Sequence, residues 1–369
     1  MFDIFDEIET QTDLENYKAR YFEEEDDSIL TQSPPTDVVA FTEQRSCADI
    51  YRMYEKGQLD IHPDFQRGEV WTNRAQTLFI DSLLKQLPIP SMCICLDIRS
   101  QKRIVIDGLQ RITSIVKFLD NKQDWKLASI DDVDRILSGR KVSLLKEQSP
   151  EAYELIENVT IPITVIRCDY SKPNHKQYIF QIFYRLNSGG NKLYNQEIRN
   201  CIYNGSFNTL LKELARTPKW LEFSDATISK VDKARSAHEE RILRFFAFYN
   251  NYQNYNGKLA SFLNDYMGTN QDIDDDSRQN FTKLLEETLL IANKIHGRST
   301  SKNVLDAILV GIAKNKEYLK DVDTDVLIDK YNQLMSEPEF SAEALKEGLG
   351  ATDKVKGRIL KSIQHFDND

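Results

Sequence analysis

One stretch constrains the fold more than any other: RIVIDGLQRITS, from Arg103 to Ser114. Arg103 to Ile106 is an apolar run of strand character. Ile112, Ile115, Val116 and Leu119 then recur at helical spacing. Asp107 and Gly108 lie between the two patterns, and the helix opens near Gln110. So tight a junction calls for a sheet with helices packed on it.

The surrounding sequence extends this picture. Ala48 to Lys56 reads as a helix that ends at Gly57, and Leu59 to Ile61 as a short extended segment. Thr72 to Leu87 reads as a helix capped by Thr72 or Asn73 and stopped by Pro88 and Pro90. Ser91 to Ile98 is a strand, joined to Arg103–Ile106 by a hairpin at Arg99 to Lys102, and Ile161 to Arg167 is another after a polar insertion. After about Tyr178 the spacing turns helical, in Ile198 to Leu214 on either side of Asn204-Gly205, then Ile242 to Tyr249, Ser277 to Ile295, Val304 to Lys314 and Asp325 to Met335. Ser236 and Glu239 have capping-box spacing. The fold class is therefore α+β. An acidic arm (1–36) precedes an α+β domain (37–175) and an α-helical domain (176–369).

Composition limits the function classes. Hydrophobic residues make up 40 % and charged residues 29 %, ordinary for a globular protein. No stretch nears the roughly 20 continuous apolar residues of a membrane helix. The acidic start MFDIFDEIET is unlike a secretory signal, so a cytoplasmic location and no membrane partner are expected. The net charge of −10 opposes tight binding to free DNA through the average field. The five cysteines have no CxxC spacing and no nearby histidine, which points to reduced, buried thiols.

Three polar constellations carry the candidate chemistry. In IHPDFQRGEVW (Ile61 to Trp71), Gln66 and Arg67 stand before Gly68, and Trp71 is a large anchor at the next helix. In the Asp107 turn, a helix N-terminus presents unpaired N–H groups to phosphate. Gly108 allows close approach, Arg111 supplies a guanidinium fork, and Thr113 and Ser114 add hydroxyls. Asp107 is placed either to hold a magnesium ion beside nucleotide phosphates or merely to cap the helix. In QIFYRLNSGGNKLYNQEIRN (Gln181 to Asn200), Tyr184, Arg185, Asn187 and Arg199 either line a polar pocket or belong to a plain helix–loop–helix connection.

Taken together and in this order, PxFQRxxxW, IDGxQRxTS and FxRLNxGGxxLxxQEIRN resemble the N-terminal domain family of GmrSD restriction endonucleases. The stretch from Ala234 to Met267 is similar to that family's helical part. The resemblance implies a ParB/sulfiredoxin-like N-terminal fold followed by helices. It also implies binding and hydrolysis of a nucleoside triphosphate with Mg2+, regulating DNA cleavage by a partner nuclease within a phage-defence system. By position the family's Asp-Gly-Gln-Gln-Arg motif falls on Asp107, Gly108, Leu109, Gln110 and Arg111, with Asp107, Gln110 and Arg111 as the catalytic set. The nucleotide contacts would come from Gln66, Arg67, Asp107, Gly108, Gln110, Arg111, Thr113, Ser114, Arg185 and Asn187, and Asp107 would hold the metal. Leu109 departs from the family's glutamine, which bears on hydrolysis. The histidines, His62, His175, His238, His296 and His365, are scattered and form no HNH pattern, so no nuclease activity of the chain itself is expected. His238, in the first turn of a helix, reads as a solvated or capping residue. A non-catalytic DNA-binding or protein-docking module on the same fold is the competing reading.

Overall fold

The computed structural model describes residues 33–61, 71–120, 122, 124–186, 193–233, 236–295, 301–346 and 348–368. The chain divides into two compact units, one of residues 32–193 and one containing residues 194–369.

The first unit holds β1 (Val39–Ser46), β2 (Leu59–Asp60), β3 (Met92–Asp97), β4 (Arg103–Asp107) and β5 (Thr160–Cys168). They form one sheet in the order β1-β5-β3-β4-β2. β1 runs antiparallel to β5, β3 runs parallel to β5 and antiparallel to β4, and β2 pairs parallel with β4. The helices are α1 (Cys47–Glu55), α2 (Asn73–Leu84), α3 (Leu109–Leu119), α4 (Val142–Gln148), α5 (Pro150–Asn158) and α6 (Pro173–Leu186). Met92, Ile94, Val105, Ile161, Ile163 and Val165 share a core with Ile50, Ile80, Ile112, Ile115 and Ile156 of these helices. Burial of each such side chain stabilises by about 1.5–3 kcal/mol. The mixed sheet followed by helices gives the α+β class expected from the sequence.

Helix boundaries follow local chemistry. The Thr72 hydroxyl accepts from the Ala75 N–H and starts α2. Gly57, at φ 65°, lets the chain leave α1 in the left-handed region. In this unit β1, α4 and α5 run beyond the sequence reading. β1 escapes it because four of its first residues are exposed on both faces, so no alternation is written into them. α4 and α5 lie in what reads as a polar insertion, each burying only two side chains.

The second unit is helical in its described residues: α7 (Asn195–Ile202), α8 (Ser206–Leu214), α9 (Pro218–Ser224), α10 (Ile228–Lys233), α11 (Ala237–Asn251), α12 (Leu259–Thr269), α13 (Asp275–Ala292), α14 (Lys302–Lys314), α15 (Lys316–Leu319), α16 (Thr324–Met335) and α17 (Thr352–His365). α14 lies at its centre, with Val304, Ala307, Ile308, Val310 and Ile312 inaccessible. It packs closely on α17, where a Cβ on Gly311 would stand 2.2 Å from Ser362 Oγ and 2.7 Å from the Ser362 carbonyl. Ser236 takes the expected N-cap position of α11 but does not cap it through its side chain. It sits at φ 68° without a side-chain cap bond, and its hydroxyl accepts instead from Asn200 Nδ2 at 3.0 Å. Nor is His238 solvated. It is buried, and its Nδ1 accepts from Trp220 Nε1 at 3.0 Å. Burial lowers its pKa to about 4.

All five cysteines are buried free thiols. Desolvation pushes Cys47 and Cys93 up to about 12, so neither ionises near neutrality. Among the described residues no helix is long and apolar enough to cross a membrane.

Candidate functional site

β4 delivers Asp107 to the sheet end beside a register irregularity. Ile94 faces Val105, but Cys93 faces Asp107, so one residue of β4 is bulged out. Bulges of this kind re-aim the side chain next to them. Gly108 then turns the chain at φ 91°. A Cβ there would lie 2.6 Å from Met92 Cγ, so both the dihedral and the packing require glycine.

The next helix begins without a side-chain cap. Asp107 does not serve as one, because Arg111 draws its carboxylate aside. Arg111 Nη2 donates to Asp107 Oδ2 at 2.8 Å, and Arg111 Nη1 donates to the Pro90 carbonyl at 2.5 Å. The Arg111 side chain is 14 % exposed and that of Asp107 is 47 % exposed. The guanidinium is thus largely committed to protein, while the Asp107 side chain is about half exposed. The first-turn N–H groups of α3 keep the positive end of the helix dipole.

Gln110 ties this turn to the first constellation. Its Oε1 accepts from the backbone N–H of Trp71 at 3.0 Å. The Trp71 ring packs edge-on to Phe79 at 5.7 Å. β2, which precedes the 62–70 segment, pairs with β4. Both described ends of that segment, Ile61 and Trp71, therefore lie beside elements of the Asp107 turn.

The remaining site residues fall into separate places. Thr113 is half-buried on α3. Ser114 is fully buried, its hydroxyl bonded to the Gln110 carbonyl at 2.8 Å, and so belongs to the helix interior. Leu109 packs against the hydrophobic core. Arg185 is exposed on the last turn of α6, a helix that packs on β4. Gln66, Arg67 and Asn187 lie outside the described residues.

The second half of the third constellation builds a core instead of a pocket rim. Gln196, Glu197, Arg199 and Asn200 are all buried. Arg199 donates to Asn264 Oδ1 at 2.9 Å and to Glu240 Oε2 at 3.4 Å. Gln196 Nε2 reaches Asn200 Oδ1 at 3.1 Å, and the Glu197 carboxylate caps α7 through the Tyr194 N–H at 2.8 Å. Two motif stretches, around Arg199 and around Glu240, thus meet in one buried polar network that pins α7 to α11 and α12. Sequence reasoning missed Glu240 and Asn264 as partners, since their spacing from Arg199 is set by tertiary structure alone.

Residues 47–204 match the family described as GmrSD restriction endonuclease, N-terminal domain. The chain carries a GmrSD-type N-terminal domain. The match contains the Asp107 turn, the Trp71 contact and the start of the buried Arg199 network. A domain of this type implies a component of a restriction or defence system. No curated protein and no solved structure matches the chain.

Proposed function

We propose that the Asp107 turn of this GmrSD-type domain binds the phosphates of a nucleoside triphosphate with magnesium, and that the chain is the nucleotide-responsive component of a restriction system whose DNA cleavage is done by a partner nuclease. The observation that carries the reading is the uncapped start of α3 beside a half-exposed carboxylate. The usual reason for an aspartate before a helix is absent here, because the carboxylate is spent on Arg111. One oxygen is fixed and the other is presented.

The residues fit the group. Magnesium favours one or two carboxylates plus phosphate oxygens, and Asp107 Oδ1 would supply the protein ligand. The first-turn N–H groups of α3 would take phosphate oxygens. The Gln110 amide and the Thr113 hydroxyl are further donors on the same turn of helix. The magnesium ion would neutralise phosphate charge. Arg111 acts through Asp107, holding it, more than as an open phosphate fork. Gln66, Arg67, Arg185 and Asn187 are proposed as further nucleotide contacts. Catalysis of hydrolysis by Asp107, Gln110 and Arg111, and a cytoplasmic location, belong to the same proposal.

One observation favours the competing docking-module reading. Arg111 and the Gln110 carbonyl oxygen are already satisfied within the protein, as a purely structural pin would be. Isothermal titration with ATP, GTP, CTP and UTP, each with magnesium, separates the two. Saturable binding of one nucleotide that is lost in Asp107→Ala supports the proposal, and no binding of any of the four supports the docking module.

A further inference from the structure

We infer that Gln110 is a positioning residue that links ligand occupancy at the Asp107 turn to the start of α2 through Trp71, offering the ligand only its amide NH2 group. The inference rests on the nucleotide reading above and deepens it.

A backbone N–H only donates, so the Gln110 atom 3.0 Å from the Trp71 nitrogen is the carbonyl oxygen. This orients the side-chain amide, and Nε2 points away from Trp71. The Gln110 backbone carbonyl is also in use, accepting from the Ser114 hydroxyl. Among the described residues no group takes the Nε2 hydrogens. A primary amide with its oxygen engaged is a donor. It recognises an acceptor oxygen such as that of a phosphoryl group, and it cannot take a proton from an attacking water. Gln110 is therefore an orienting group and not a general base.

Its other hand is placed to transmit what it feels. Trp71 is the residue before the Thr72 cap, and its ring rests on Phe79 two turns into α2. Asn73, the first residue of α2, is fixed by Trp125 Nε1 at 2.6 Å. A shift of the Gln110 amide toward a ligand therefore changes the Trp71 N–H bond first, against a helix start that is otherwise held. This bond joins Trp71, which closes the PxFQRxxxW motif, to the IDGxQR turn.

Two substitutions separate the two hands. Gln110→Glu keeps an oxygen for the Trp71 N–H but replaces the donor with negative charge. Gln110→Ala removes both. The full chain labelled with 15N-tryptophan gives backbone amide signals from Trp71, Trp125 and Trp220, and Trp71→Phe assigns the first. In the wild type, addition of whichever magnesium nucleotide binds is expected to move the Trp71 signal and leave that of Trp220 in place. Gln110→Glu is expected to keep the Trp71 signal near its free wild-type position while raising the nucleotide Kd at least tenfold. Gln110→Ala is expected to move the Trp71 signal with no nucleotide present. Wild-type affinity in Gln110→Glu, or nucleotide binding that leaves the Trp71 amide unmoved, overturns the inference. If the wild type binds none of the four nucleotides, the nucleotide reading itself fails, and the coupling falls with it.

Discussion

Arg111 reaches back one helical turn to Asp107, Nη2 to Oδ2 at 2.8 Å, and its other terminal nitrogen holds the Pro90 carbonyl at 2.5 Å. One guanidinium thus joins the end of β4, the first turn of α3 and the linker that enters β3. The clamp explains why Asp107 does not cap the helix. Arg111→Ala should lose both bonds. Hydrogen bonds to charged groups contribute about 1.5–3 kcal/mol, so a loss of that order in urea unfolding is expected. Nucleotide affinity should fall at least tenfold because Asp107 is no longer fixed. Arg111→Lys should recover part of the stability.

Leu109 tests the departure from the family motif. Its side chain packs against the core. Leu109→Gln would restore the family residue but direct an amide toward apolar neighbours, at a cost of about 1–3 kcal/mol. The expected result is lower stability with no gain in phosphate release. A large gain in turnover at saturating nucleotide would show instead that the side chain at this position reaches the ligand.

Gly311 is fixed by packing. With Ser362 Oγ 2.2 Å and its carbonyl 2.7 Å from the position of an added Cβ, α14 and α17 must separate in Gly311→Ala. Overpacking of a tight core costs about 1–3 kcal/mol, read as a fall in the urea midpoint. Because the clash is in the helical unit, mixing of nucleotide with the folded variant should give the wild-type Kd.

His238 makes stability depend on pH in a defined window. Its pKa in the folded chain is about 4, below the free value of 6.5, because burial disfavours the imidazolium. Between these values the unfolded chain binds more protons. The contribution is complete above about pH 6.5, declines as pH falls, and is gone near pH 4. At about 1.36 kcal/mol per pKa unit it amounts to roughly 3 kcal/mol. His238→Gln should flatten unfolding free energy against pH across this window.

How much of this was legible depended on whether the pattern was local. The Asp107-Gly108 turn, the Thr72 cap and α3 could be read directly, since adjacent residues set them. β1 could not, because an edge strand exposed on both faces writes no alternation into Val39 to Thr42. The Ser236–Glu239 spacing marks the start of α11 but not the bonding there, because Ser236 makes no side-chain cap bond and its hydroxyl accepts from Asn200, thirty-six positions away. Arg199 looked like a pocket residue because a buried ion pair and a ligand-binding arginine are the same letter until Glu240 and Asn264 are placed beside it. The average charge is unevenly distributed along the sequence. Residues 1–32 hold eleven acidic and two basic side chains, a net −9 of the total −10, so the rest of the chain is close to neutral. A field argument against nucleic acid or phosphate therefore applies to that segment and not to the body that carries Asp107.

We propose that a magnesium nucleotide binds at the uncapped start of α3 through Asp107. The most direct measurement is a thermal-shift titration of the wild type and Asp107→Ala with ATP, GTP, CTP and UTP, each with and without magnesium. A ligand at about 100 times its Kd stabilises the folded state by roughly 2.7 kcal/mol. A magnesium-dependent rise in Tm with at least one nucleotide is expected in the wild type, and none in Asp107→Ala. An equal rise in both proteins, or no rise with any nucleotide, would contradict it.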